Sequence, residues 1–223
     1  MDSTISSKIK IAVINNYLGN IQSVLNILNY FKVDYIFSNK KKEIAKCDAI
    51  IFPGVGSFPQ AMRNLEKLSL ENFLKDQLLV KKKPYLGICL GMQILLSKSF
   101  EIKETVGLNI IKGEVKKIRK NKNLSIPHVG WSKINILKKN LIFKKISNFS
   151  ELYFDHSFFT DIKNKKLAIT ETKYSQKFIS SFNFKNIIGV QFHPEKSQEK
   201  GKIIIKNFLE FTKKYNTLQH GKS

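Results

Sequence analysis

The spacing of hydrophobic residues changes about halfway along this chain. Residues 8–15, KIKIAVIN, form an apolar run rich in β-branched side chains, which predicts a buried strand. The run ends at NYLGN, where Gly19 and Asn20 supply a turn and a helix start. In IQSVLNILNYF the residues Ile21, Val24, Leu25, Ile27, Leu28 and Phe31 fall mostly at helical intervals. VDYIF and CDAIIFPGVG predict a second and a third strand, 59–82 a helix with a break near Ser69, and KPYLGIC a fourth strand. A further helix is expected from about Leu90 to Lys98. Strands alternating with helices in this way predict a doubly wound, mostly parallel sheet.

After Phe100 the pattern is different. GLNIIKGEVKKI, SIPHVGWSKINIL, ELYFDHSFF, KLAITETKY, FISSFNF and NIIGVQFHP are short apolar stretches separated by turn residues. They predict β-strands with mainly antiparallel connections, followed by a closing helix over roughly Gly201 to Lys214. There is no internal repeat and no long linker. The expectation is one α/β domain over residues 8–214, with short polar tails at 1–7 and 215–223.

Composition narrows the function. A chain of 223 residues can bury a core without staples, and 42% hydrophobic with 11% aromatic residues excludes a disordered chain. The opening MDSTISSKIK is polar, and no apolar run approaches the roughly 18 residues of a membrane span. A cytoplasmic protein is therefore expected. Two cysteines, Cys47 and Cys89, make no disulfide framework and fit a reducing compartment. The net charge of +22 is the one feature that invites a nucleic-acid partner. Its lysines are scattered along the whole chain, however, and only Arg63 and Arg119 carry the fork suited to reading bases. The charge reads as a solvated surface, and no nucleic-acid partner is expected.

The chemistry concentrates at YLGICLGMQ, residues 85–93. A strand followed by Gly-x-Cys-x-Gly and a helix is a nucleophile elbow with sulfur in place of oxygen. Gly87 and Gly91 leave room that a Cβ would fill, and a helix starting near Leu90 aims free amides at the Cys89 sulfur. Cys47 has no such glycine context and reads as a packed core thiol. A thiol nucleophile needs a base and a group that orients it. Of the four histidines, His220 lies in the polar tail, while His128 and His156 lie in the β-rich half. His193 follows an apolar strand in GVQFHPEKS, with Glu195 two residues on. In an extended segment those two side chains point the same way, so the carboxylate can hold one ring nitrogen while the other faces the thiol.

PGVGSFPQAM (53–62), GICLGMQ (87–93), PHVGW (127–131) and GVQFHPEKS (189–197) together resemble the class I, or triad, glutamine amidotransferases. Among these the chain looks like the HisH type, the glutaminase subunits of imidazole glycerol phosphate synthases, across nearly its whole length. The resemblance implies a flavodoxin-like fold: a central, mostly parallel sheet flanked by helices, plus a smaller antiparallel β section. It implies Cys89 as nucleophile, His193 as general base and acid, and Glu195 as its orienter, producing glutamate and ammonia from glutamine. It also implies oxyanion donors at Val55 and Leu90, and glutamine contacts at Gly54, Gly56, Gln93, His156, Ser157 and Phe158. No cofactor or metal is implied. The implied partner is a (β/α)8 cyclase barrel forming a heterodimer, with ammonia passing to it for histidine biosynthesis. PHVGW is implied to line the site and face that partner; as an alternative, Trp131 could simply be core. Two departures stand out: NNYLGN replaces the usual D-Y-G-x-G-N loop, and Asp155 stands where an apolar residue is usual. A HisH-like paralogue feeding a barrel that amidates a surface sugar would carry the same glutaminase machinery.

Overall fold

Strand β1 (Lys10–Ile14) has its last four residues buried, as a strand covered on both faces requires. The computed structural model describes residues 9–19 and 21–220. The tail at 1–7, the last residues of the other tail and the Asn20 turn position lie outside the described residues. Four β/α units follow from the first half of the chain: α1 (Gln22–Tyr30), β2 (Asp34–Ser38), α2 (Lys41–Ala45), β3 (Ala49–Phe52), α3 (Phe58–Lys67), α4 (Glu71–Lys75) and β4 (Tyr85–Ile88). The short α2 has no signal in the spacing. The helical stretch after β3 does break at Ser69, which takes a left-handed φ of 53°.

After β4 come α5 (Leu90–Gln93), β5 (Leu96–Ser99), β6 (Thr105–Val106), β7 (Ile111–Lys117) and β8 (His128–Ile136). They are followed by β9 (Glu151–His156), β10 (Phe158–Ile162), β11 (Ala168–Lys173), β12 (Lys177–Phe184), β13 (Ile187–Val190) and α6 (Gln198–His220). The helix expected over Leu90 to Lys98 therefore stops at Gln93. The carbonyls that would continue it are captured from the loop ahead of β7: Ile94 by the Leu108 amide at 2.8 Å, and Leu95 by those of Ile110 and Ile111 at 2.9 Å. Residues 96–99 become a strand between β6 and β7 instead. The closing helix starts at Gln198 and runs to His220, past its expected end at Lys214, so part of the expected polar tail is helical.

The main sheet has nine strands in the order β2-β1-β3-β4-β13-β12-β11-β8-β9. From β2 to β13 the neighbours run parallel, and from β13 to β9 they run antiparallel. A second sheet, β10-β7-β5-β6, stands beside it. Alternate residues of β1 feed two different cores, Ile11 and Val13 one, Ala12 and Ile14 the other. The first core includes Leu28, Ile88, Phe192 and Phe208; the second includes Phe52, Phe58, Met92 and Phe182. The parallel strands β4 and β13 thus lie near the middle of a sheet packed on both sides. Open α/β sheets place their sites at the carboxyl ends of such strands.

Candidate active site

Cys89 directly follows β4 and has φ 49° and ψ −102°, a conformation that L-residues rarely adopt. The reason is the crossing of two backbones. A Cβ on Gly87 would lie 2.4 Å from the Gly91 carbonyl, and one on Gly91 would lie 2.0 Å from that of Phe52. Only glycine at both positions lets the chain turn this tightly. The Cys89 amide is tied to Val190 of β13 at 2.7 Å, and its carbonyl accepts from the amides of Met92 and Gln93. Helix α5 is a single turn, so little dipole reaches the sulfur. Its first amide, that of Leu90, donates to the Gly54 carbonyl at 3.4 Å.

His193 comes to this corner from the end of β13. Its amide donates to Tyr153 of β9 at 2.8 Å, and its carbonyl accepts from the Ser197 hydroxyl at 2.7 Å. That hydroxyl also accepts from the Tyr153 amide, so one serine ties the turn to the edge strand. Pro194–Lys196 form a 3-10 turn, not the extended segment expected from the sequence. The turn still brings Glu195 Oε1 to 2.7 Å from His193 Nδ1. Gly201 makes room for it, since a Cβ there would lie 1.8 Å from the Pro194 carbonyl. His193 is 1% exposed, and its Nε2 completes no hydrogen bond. Burial works against the imidazolium, but the Glu195 carboxylate and the nearby Cys89 sulfur outweigh it and raise the His193 pKa to about 10.

The sulfur opens on a cavity of about 280 Å³, lined by Val55, Gly56, Leu90, Gln93, Glu101, Pro127 and residues 155–158. Of the expected site residues, Gly54 lies just outside this lining, with its Cα facing Leu90. Gly56 lines the cavity with a left-handed φ of 129°. His156 Nδ1 meets the Phe158 carbonyl at 2.8 Å, so it must be the protonated nitrogen. His156 Nε2 then accepts from His128 Nδ1 at 3.0 Å, and His128 Nε2 accepts from the Ser132 hydroxyl at 2.8 Å. Burial keeps both rings neutral, lowering His156 to about 3 and His128 to about 4.

Three further neighbours lie outside the expected set of site residues. Glu101 lines the cavity as a carboxylate that accepts from the Phe58 amide at 2.8 Å, and burial raises its pKa. Gln191 places its amide nitrogen 3.4 Å from the Cys89 sulfur. Asp155, one of the two departures, pairs with Lys196 of the His-Pro-Glu turn at 3.3 Å. Trp131 is not core. It is 44% exposed on β8, edge-on to Tyr153 and on the same face as exposed Val129.

A thiol, an imidazole held by a carboxylate and a polar cavity can perform acyl transfer from an amide. The family model for glutamine amidotransferase class-I matches residues 12–211. The chain belongs to the class-I glutamine amidotransferases. Among these amidotransferases it is 41% identical to imidazole glycerol phosphate synthase subunit HisH 1 of Campylobacter jejuni subsp. jejuni serotype O:23/36 (strain 81-176), covering 89% of this chain and 98% of that protein. It is 41% identical to subunit HisH 2 of Vibrio vulnificus (strain YJ016), covering 92% and 95%, respectively. It is 40% identical to subunit HisH of Lactococcus lactis subsp. lactis (strain IL1403), over 90% and 98%. The crystal structure of a putative GMP synthase component from Thermoplasma acidophilum shares the amidotransferase fold, with a TM-score of 0.73 at 21% identity, covering 95% of this chain and 98% of that one.

Proposed function

We propose that this chain is the glutaminase subunit of an imidazole glycerol phosphate synthase, with residues 8–214 acting as its one domain. The observation that carries this reading is the convergence of Cys89 and the His193–Glu195 pair beside a cavity lined by Gln93 and Glu101. Cys89 attacks the side-chain carbonyl carbon of glutamine. The amides of Val55 and Leu90 hold the resulting oxyanion, and losing one such donor costs about two to three powers of ten in rate. His193, oriented by Glu195, takes the thiol proton as Cys89 attacks and, as the imidazolium so formed, gives it to the departing ammonia. It then takes a proton from the water that hydrolyses the thioester to glutamate. Glu101 accepts the α-ammonium of the substrate, while Gly54, Gly56, Gln93, His156, Ser157 and Phe158 shape the rest of the pocket.

The Leu90 amide cannot hold an oxyanion while it donates to the Gly54 carbonyl. Turnover therefore requires the Gly54–Gly56 segment to turn over, and docking of a partner is the natural trigger. That partner is a (β/α)8 cyclase barrel in a cytoplasmic heterodimer, and the ammonia passes into it. The names of the relatives support the assignment, since each is a subunit of a synthase.

A second reading has the same chemistry supplying a barrel that amidates a surface sugar. It is favoured by the numbered copies among the relatives and by the altered loop, where exposed Tyr17 takes a left-handed φ of 57°. Mixing the chain with each barrel and measuring glutamate release separates the two. The first reading expects release to rise when the ribotide-loaded histidine-pathway cyclase is added. A rise with the sugar-amidating barrel alone would contradict it.

A further inference from the structure

The buried amides beside Cys89 form a chain of hydrogen bonds that can be read in only one direction. The Phe158 carbonyl accepts from Gln93 Nε2 at 2.9 Å and from His156 Nδ1 at 2.8 Å. A carbonyl has no proton to give, so the nitrogen of Gln93 must face it. The same nitrogen donates to Gln191 Oε1 at 3.3 Å, which leaves Gln191 Nε2 facing the Cys89 sulfur at 3.4 Å. Turning Gln191 over would set two NH2 groups against each other. Turning Gln93 over to relieve that would set its oxygen against the Phe158 carbonyl. The amide orientation at the sulfur is thus fixed by a backbone group on the far side of the pocket wall.

Gln191 is fully buried at the end of β13, with its own amide tied to Ser180 at 2.9 Å. The Asp155 carbonyl also faces the sulfur, at 3.9 Å. An acceptor there favours the S–H form, whereas a donor favours the thiolate. The donor is closer, and its bond strengthens when the sulfur is charged. We infer that Gln191 is a further catalytic residue: its side-chain amide donates to the Cys89 sulfur and stabilises the thiolate over the thiol. This rests on Cys89 being the nucleophile. Gln191 thus adds an uncharged donor on the sulfur to the His193 imidazolium beside it.

The test is the pH profile of Cys89 alkylation by iodoacetamide in the full chain, followed by peptide mass mapping, in wild type and in Gln191→Met. Losing the donor displaces thiol ionisation upward by about one pH unit. The thiolate that remains is about threefold more nucleophilic, because nucleophilicity rises with basicity. The variant is therefore expected to react about threefold more slowly on the acid limb of the profile and about threefold faster on its alkaline plateau, so the two profiles cross. Coincident profiles, or one constant factor at every pH, would overturn the inference, because a merely structural role moves the whole curve together. Gln191→Asn, whose amide stops a methylene short of the sulfur, should cross in the same sense and decides the matter if the Met variant fails to fold. Retained glutaminase activity in Cys89→Ala would instead remove the nucleophile reading itself. Profiles that do not cross, in a protein that needs Cys89, would remove only the role of Gln191.

Discussion

The surroundings of the two cysteines differ sharply although both thiols are nearly buried, Cys47 at 2% and Cys89 at 6% exposed. Cys47 follows the last turn of α2, where its thiol donates to the Glu43 carbonyl at 3.6 Å. Its own carbonyl is held by the Lys83 ammonium, which also reaches the Ala45 carbonyl. Burial pushes the Cys47 thiol up, against the pull of Lys10 and Lys83. Cys89 has a strained backbone, an amide donor on its sulfur and an imidazolium beside it. Burial alone makes a thiol inert, whereas a tight turn with donors around the sulfur favours a reactive one. Strain of this kind costs about 1–3 kcal/mol and persists only where the surrounding structure holds it.

The largest expected effect separates the two directly. Cys89→Ala should lower partner-stimulated glutamate release by about 10⁶-fold, whereas Cys47→Ala should leave the rate within about twofold and cost about 1 kcal/mol of stability. A comparable rate loss for both would erase the distinction. Glu195→Ala should reduce the same rate by a factor roughly a hundredfold smaller than Cys89→Ala does, because Glu195 orients the base without touching the bond that breaks. Equal losses would show that its role is more than orientation. Gly91→Ala, driving a Cβ into the Phe52 carbonyl, should destabilise the elbow by about 2–4 kcal/mol in urea unfolding.

The dependence of stability on pH also divides the two regions. His128 and His156 titrate near about 6.5 in the unfolded chain but at about 4 and about 3 in the fold. As the pH falls below about 6.5 the unfolded chain takes protons that the fold refuses. Stability should drop by about 1.4 kcal/mol per pH unit for each ring, until its folded pKa is reached. His193 runs the other way, since its pKa is raised: its contribution is complete below about 6.5 and is lost as the pH rises through about 10. Cys47, also raised, is a liability only in alkali, above the ordinary thiol value of about 8.5. Urea midpoints measured across this range should show a slope in acid that His128→Gln halves and Cys47→Ala leaves alone.

Much of this is legible in the chain because the signals are local. Four apolar runs separated by helical periodicity mark the parallel strands, and the Gly87–Gly91 spacing marks the elbow. The pairing of His193 with Glu195 also follows from the sequence, though by way of an extended segment where a 3-10 turn does the work. What the sequence does not reveal depends on distant partners. Ile94–Leu96 suit a helix or a strand equally, and hydrogen bonds from residues 108–111 decide between them. Glu101 belongs to the site only because the turn after β5 reaches the cavity, and Gln191, though it lies within GVQFHPEKS, gives no sign there that its amide faces the sulfur. Asp155 reads as a defect in a motif when the chain is taken alone, and only the fold brings Lys196 to face it.

The most direct test of the central claim is labelling with a diazo-ketone analogue of glutamine, with the modified peptide mapped by mass. The account predicts a label on Cys89 alone, suppressed by excess glutamine and absent from Cys89→Ala. Equal labelling of Cys47, or labelling of Cys89 that glutamine does not suppress, would contradict it.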